Sequence, residues 1–314
     1  MSNVLPPISK VYQEHGAAGP KNEGSLPNRR KSGEWFARQM IDPPYRTVAV
    51  ASTFSPRFEQ VLAEGKRIRD RLASQLHLIY VGKRDEETTR KFGSALRRLK
   101  LPADSTIYYQ QGDPAAAILE AAKANEIDLI VAGALEKEAV LRQFLGNVAR
   151  RLVREAACSV MLFTKPESDP KRLCRIVFMA EYSDHGREAL HKALRLAALE
   201  ECEKLFVIRV YTSFDEARAK ARKKSAKSGD QSTRTLEEEE IALEQFIDSA
   251  GHTDVPIEAR CIRGNTGYAV LDFVQSVEAM LLVVPVDPQA AADGLPVHMS
   301  WVTDVIPCNL WVIR

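Results

Sequence analysis

Five cysteines (Cys158, Cys174, Cys202, Cys261 and Cys308) and six histidines are the side chains best suited to redox, nucleophilic or metal chemistry. Their spacing supports none of it. There is no C-x-x-C pair and no histidine cluster, and an odd, dispersed set reads as reduced cytosolic thiols serving as small core residues. No Ser-His-Asp set, metal-ligand spacing or paired carboxylates stands out. The Ser-Gly-Gly and His-x-Gly-His phosphate motifs of adenylating and pyrophosphate-cleaving enzymes are absent too. The chain is therefore expected not to be an enzyme. The spacing that does carry information belongs to glycine. Gln111-Gly112-Asp113-Pro114 leads into residues 115–125 and then the apolar run Leu129-Ile130-Val131-Ala132. Arg263-Gly264-Asn265-Thr266 leads, at the same spacing, into residues 267–277 and Leu281-Leu282-Val283-Val284. A repeat that keeps register over this length implies duplication of a whole domain.

The elements around these glycines alternate strand and helix. Thr47 to Ala51 is a short apolar run without polar alternation, as a strand covered on both faces requires. Phe58, Val61, Leu62, Ile68 and Leu72 recur at helical spacing. Strand 76–81, a charged helix 86–99 and strand 106–109 follow. Then come a helix capped by Asp113 with Pro114 in its first turn, strand 129–132, helix 145–155 and strand 159–163. The second copy repeats the order with strand 175–179, helix 184–199, strands 205–211 and 257–262, a capped helix, strand 281–284 and a last strand, 309–313. Such alternation predicts βαβ crossovers and two tandem, doubly wound parallel-sheet domains, at 45–166 and 172–314. Cys158 and Cys308 fall at equivalent helix-to-strand junctions. Residues 1–44 read as a disordered tail in which Trp35, Phe36 and Met40 form a loose anchor. Residues 213–251 read as an insertion whose basic block (Arg218, Lys220, Arg222, Lys223, Lys224, Lys227) and acidic run (Glu237 to Glu240) are solvated and mobile.

Charge and hydropathy narrow the function. Lys and Arg total 44 against 42 Asp and Glu, so no overall basic excess points to nucleic acid. Within the insertion no aromatic residues interleave the lysines, as a stacking platform for RNA requires. No apolar run reaches the ~20 residues of a membrane helix, and the first residues lack a signal pattern. A cytoplasmic protein with protein partners, no membrane and no specific nucleic acid is expected.

Ile127-Asp128-Leu129-Ile130-Val131-Ala132-Gly133-Ala134, then Phe144 to Val153 and Ala157-Cys158-Ser159-Val160, carry a resemblance to the universal stress protein family. Val50 to Pro56 and Met179 to Asp184 match the family's opening strand and turn. The chain resembles a tandem member, with the adenine-nucleotide alpha-hydrolase-like fold. The resemblance implies that the last strands, 159–163 and 309–313, pair antiparallel, packing the domains as an internal pseudo-dimer and hiding two sheet edges. It also implies a nucleotide site built on Thr53, Val81, Gly112, Gly133, Gly146 and Asn147. ATP-binding members carry Gly, two residues, Gly, nine residues, Gly and then Ser or Thr, so that backbone amides and a helix N-terminus meet the phosphates.

Here the register is kept at Gly133, Glu136, Gly146 and Asn147, but the residues differ. Glu136 adds bulk and negative charge where a triphosphate would lie. Asn147 reads as a helix cap without the family's hydroxyl, and Thr53 replaces the acidic residue after the first strand. Gly133 and Gly146 also suit the tight turns that end a strand and begin a helix. ATP is therefore disfavoured as a ligand. In the second copy Pro285 stands opposite Gly133, Pro296 opposite Gly146 and Val297 opposite Asn147, and proline offers no N–H donor. Glu181 keeps an acidic residue after the first strand and reads as a helix-start carboxylate. The function expected is non-catalytic action in stress response through partner binding, with a degenerate nucleotide site in the first domain. The alternative is an ATP or AMP sensor using that domain only.

Overall fold

Period-two alternation decides which face of each strand meets which helix. In strand β1 (Tyr45–Ser52), Val48 and Val50 face one apolar layer, while Ala49 and Ala51 face the other. Both layers are apolar, as expected of a sheet covered on both sides. This computed structural model describes residues 42–52, 57–102, 105–134, 145–224, 234–251, 253–288, 295, 297–303 and 306–314.

The first half continues with α1 (Phe58–Leu72), β2 (Ala73–Val81), α2 (Glu86–Arg98), β3 (Ile107–Gln110), α3 (Pro114–Ala124), β4 (Leu129–Gly133), α4 (Asn147–Glu155) and β5 (Ser159–Phe163). The second has β6 (Arg175–Met179), α5 (Asp184–Leu199), β7 (Lys204–Tyr211), α6 (Ser213–Lys224), α7 (Leu236–Ser249), β8 (Ile257–Arg263), α8 (Thr266–Ser276), β9 (Leu281–Pro285), a 3-10 helix (Val297–Thr303) and β10 (Asn309–Ile313). All ten strands form one sheet in the order β3-β2-β1-β4-β5-β10-β9-β6-β7-β8. Within each half the neighbours are parallel, the doubly wound α/β arrangement that the sequence predicts. Strands β5 and β10 meet antiparallel, with Trp311 opposite Met161.

The halves repeat down to single backbone angles. Glu126 and Glu278, each three residues before a strand, have φ of 49° and 48°. Gly112 and Gly264 both adopt positive φ, 102° and 145°, where glycine is strongly favoured. Helices α1, α2, α5 and α7 cover one sheet face with Leu62, Phe92, Leu194 and Leu243. Helices α3, α4 and α8 cover the other with Ile118, Leu152 and Val270. Each apolar layer runs across both halves.

Three expectations need correction. Residues 213–251 are not one insertion: α7 lies on β7 and β8, and in the first half α2 sets Phe92 against Tyr80 of β2 and Tyr109 of β3, so α6 is the added helix. The acidic run, expected to be solvated and mobile, forms the first turn of α7. There carboxylates meet the helix N-terminus, and Thr235 and Glu238 close a capping box. Glu181 does not start a helix. Ser183 caps α5 through Gly186 N–H at 2.9 Å, and Asp184 supplies the first-turn carboxylate. Cys158 and Cys308 immediately precede β5 and β10. The antiparallel register puts Cys308 level with Thr164, six residues or about 20 Å along the sheet from Cys158, so the two cannot be bridged. Of the tail, residues 42–44 are described and Asp42 O accepts a hydrogen bond from Arg195 at 2.7 Å; Trp35, Phe36 and Met40 lie outside the described residues.

Candidate functional site

In a doubly wound sheet the ligand crevice opens at the carboxyl ends of the strands where the winding direction reverses. The first half reverses between β1 and β4. Gly133 ends β4 there, in register with Phe163 of β5. Ala134 N–H donates to Phe163 O at 2.9 Å, and Gly146 N–H returns to Ala134 O at 3.0 Å. One hydrogen bond thus joins the end of β4 to the start of α4; residues 135–144 lie outside the described residues. Thr53 and Glu136 lie outside the described residues, as does Pro296 of the second half.

Gly146, not Asn147, occupies the cap position of α4. Its carbonyl accepts from Arg150 N–H at 2.9 Å, so the helix begins one residue earlier than a capping Asn147 would have it. With φ −63° and ψ 158° Gly146 is in extended backbone open to any residue, and it brings no side-chain acceptor to the first-turn amides. Exposed Asn147 follows as the first helical residue. The amide-rich end of α4 therefore faces the crevice mouth without a side-chain cap, the arrangement in which helix N-termini receive anions.

Val81 and Gly112 stand further along the same sheet edge. Val81 ends β2 opposite Gln110, and Gly82 N–H closes on Gln110 O at 2.9 Å. Gly112 turns the chain from β3 into α3, with nothing within 4 Å of the place a Cβ would take. Three strand spacings, about 14 Å, separate the ends of β3 and β4. The structure thus brings Gly133, Gly146 and Asn147 together, and sets Val81 and Gly112 along the crevice edge. Arg151 was not anticipated from the sequence. One turn into α4, it pairs with Asp113, the cap of α3, and with Glu155 at 3.0 Å. Its spacing from Glu155 was the one legible signal. Asp113 is held below the usual carboxylate range by Ala116 N–H and by Arg151. The N-terminus of α3 is therefore occupied by this chain's own carboxylate.

The second half reverses between β6 and β9. Val286 N–H donates to Ile313 O at 2.8 Å, the counterpart of Ala134 to Phe163. The chemistry beyond that point differs. Pro285 ends β9 where Gly133 ends β4. The element corresponding to α4 is not an α-helix but the 3-10 helix at Val297–Thr303, a stretch rich in β-branched and aromatic residues with weak helix propensity. Trp301 packs on Gly267, where any Cβ would come within 2.9 Å of its ring.

Beside this second switch point lies a side-chain cluster that the sequence did not signal. Arg209 meets Glu239 at 2.9 Å and Arg234 meets it at 3.5 Å. Both guanidinium groups lie near the Tyr182 ring, 5.0 and 5.3 Å from its centre. Burial, then Glu239, push the Tyr182 hydroxyl above its ordinary range. Burial and the same carboxylate push the Cys261 thiol up to about 12. The arrangement can hold an aromatic ring and a buried carboxylate in place, but it presents no phosphate cradle. Among the described residues no group of His, Cys, Asp and Glu has metal-holding geometry.

The sequence profile described as the universal stress protein family matches residues 86–164. Universal stress protein MJ0531 of Methanocaldococcus jannaschii is 39% identical over 59 residues, or 19% of this chain and 35% of that protein. The chain thus spans about a third of the length of this curated relative. Solved structures share the fold over most of the chain. A universal stress protein of Archaeoglobus fulgidus DSM 4304 has a TM-score of 0.55 at 13% identity, covering 85% of this chain and 96% of that one. The functionally unknown protein PA1789 of Pseudomonas aeruginosa PAO1 has a TM-score of 0.62 at 16% identity, covering 86% and 92%. At such identities the likeness speaks for the fold alone. Over residues 86–164 the chain is thus similar to the universal stress protein family.

Proposed function

We propose that this chain is a non-catalytic, cytoplasmic stress-response protein that acts by binding partners on an internal pseudo-dimer, with a degenerate nucleotide site confined to the first half. The observation that carries the reading is the difference between the two crevices. The first keeps Gly133 and an uncapped α4 N-terminus, and the second has Pro285 and a 3-10 helix in their place. A protein whose work required nucleotide in both halves would need both cradles. The sheet, the two apolar layers and the β5–β10 seam run through both halves. Glu136 and Thr53, read from the sequence, weaken the first cradle further.

Native mass spectrometry of the purified protein tests the scaffold reading. An empty protein with a captured partner is the expected result, and a stoichiometric co-purifying nucleotide overturns it. The second reading, a sensor of ATP or AMP in the first half, is favoured by Gly146 as a backbone-only cap. Isothermal titration with ATP, ADP, AMP and cyclic nucleotides separates the two. Heat that is lost in Gly146→Val supports the sensor, and no heat at millimolar ligand removes it.

A further inference from the structure

Helix α6 has no counterpart among the described residues of the first half, and its own packing does not explain it. Among its described side chains Ala219 is buried at 3% exposure, while Phe214 is 67% exposed. A helix of this length is marginal in water unless something holds it. Its acidic residues are engaged locally: Asp215 accepts from Thr212 N–H at 2.8 Å, and Glu216 pairs with Lys220 at 2.9 Å. The remaining charged residues along it, Arg218, Arg222, Lys223 and Lys224, are all basic. Cations in a last turn complement the helix dipole, and that accounts for part of the pattern. It does not account for the exposed ring.

A second exposed ring follows the neighbouring strand end. Tyr268, in the first turn of α8, is 79% exposed. Tyr211 and Arg263 pair at the carboxyl ends of β7 and β8, and Gly264 N–H donates to Tyr211 O at 3.3 Å. Phe214 follows Tyr211 by three residues and Tyr268 follows Arg263 by five, so the two rings leave the sheet from adjoining strand ends. Arg263 is exposed between them in sequence, and the Arg218 guanidinium lies 5.6 Å from the centre of the Phe214 ring. Aromatic faces set among cations are what unpaired bases on a phosphate chain require.

We propose that α6 and the start of α8 form a surface for single-stranded nucleic acid, on which bases stack on Phe214 and Tyr268 and phosphates meet Arg218 and Arg263. The surface names a class of partner for the scaffold proposed above and rests on that reading, but not on the nucleotide crevice. The chain's own first 41 residues carry six basic and three acidic side chains, the wrong sign to cover it. An acidic peptide would match the charges and leave both exposed rings without a role.

Fluorescence anisotropy of the full chain with a labelled oligothymidylate of about 15 nucleotides tests the proposal. Binding that weakens as salt rises is expected, with Phe214→Ala and Tyr268→Ala each weakening it about tenfold. Arg218→Glu should reduce the salt slope by about one. Thermal midpoints equal to the parent's establish that these surface variants fold. Gly146→Val, in the other half, should bind as the parent does. No anisotropy change overturns the proposal, as do ring variants that bind like the parent or poly-glutamate competing as well as the oligonucleotide. Loss of binding in Gly146→Val overturns the location. If the oligonucleotide fails while native mass spectrometry captures a protein partner, the scaffold reading stands and this surface does not.

Discussion

Gly65 lies inside α1 where the helix crosses closest to β1, and a Cβ there would come within 2.2 Å of Val50 Cγ2. Neither residue has room to move, because Val50 belongs to the apolar layer under the helix. Gly65→Val should therefore destabilise the protein by about 1–3 kcal/mol through overpacking, read as a lower urea midpoint at unchanged m-value. Asp113 gives a prediction of opposite character, since its role is electrostatic and exposed. Ala116 N–H and Arg151 hold its carboxyl below the usual range. The folded state thus binds this proton less readily than the unfolded chain. The resulting stability is present at neutral pH and lost as pH falls through the acid range. Thermal midpoints followed from pH 7 to about pH 3 should fall less steeply in Asp113→Asn. The sequence announced Asp113 as a cap because Pro114 follows it. It could not announce Arg151, whose partner is 38 residues away on another helix.

At the scale of elements, the seam between β5 and β10 is the contact most open to test. Trp311 lies in its middle, fully buried, opposite Met161 and edge-on to Tyr45 at 6.4 Å. Tyr45 also donates to Ser159 Oγ at 3.0 Å, and Arg314 N–H does so at 3.1 Å. Trp311→Ala should cost about 3–5 kcal/mol, measured by denaturant unfolding, because it opens a cavity in the apolar layer on that face of the sheet. The strands themselves were legible: continuous apolar runs of four residues, 160–163 and 310–313, bounded by polar residues leave little choice. The helix type at Val297–Thr303 was less so. Alignment with α4 fixed the position of this element but not its winding, which local propensity and the packing of Trp301 on Gly267 decide.

At the scale of the molecule, a buried charge cluster ties the halves together. Arg67 of α1 meets Glu64 at 2.6 Å and Glu200, at the end of α5, at 3.2 Å. Glu200 is 1% exposed and also accepts from Leu173 N–H at 3.1 Å, in the segment joining β5 to β6. Arg67 donates to Lys171 O at 2.7 Å in that same segment. With both apolar layers continuous across the halves, the full chain is expected to unfold in a single transition by circular dichroism and fluorescence alike. Glu200→Ala removes one partner of a buried network in which Arg67 keeps Glu64. Its cost should fall near the low end for such losses, about 3 kcal/mol, with separate transitions for the halves as the sign that coupling is broken.

The alternation of strands and helices and the α/β class were fixed by the chain alone, because periodicity and turn chemistry act over a few residues and are written locally. The sequence also set the glycines of the first crevice against the prolines of the second. The tertiary structure decided which residues meet. It showed that α7 is the counterpart of α2 and α6 the addition, that Gly146 and not Asn147 caps α4, and that Cys158 and Cys308 lie far apart along the seam. It set the strand end before Tyr268 beside the one before Phe214, more than 50 residues away along the chain. These outcomes depend on sheet order and register, which join residues distant along the chain, and no local pattern encodes such a meeting.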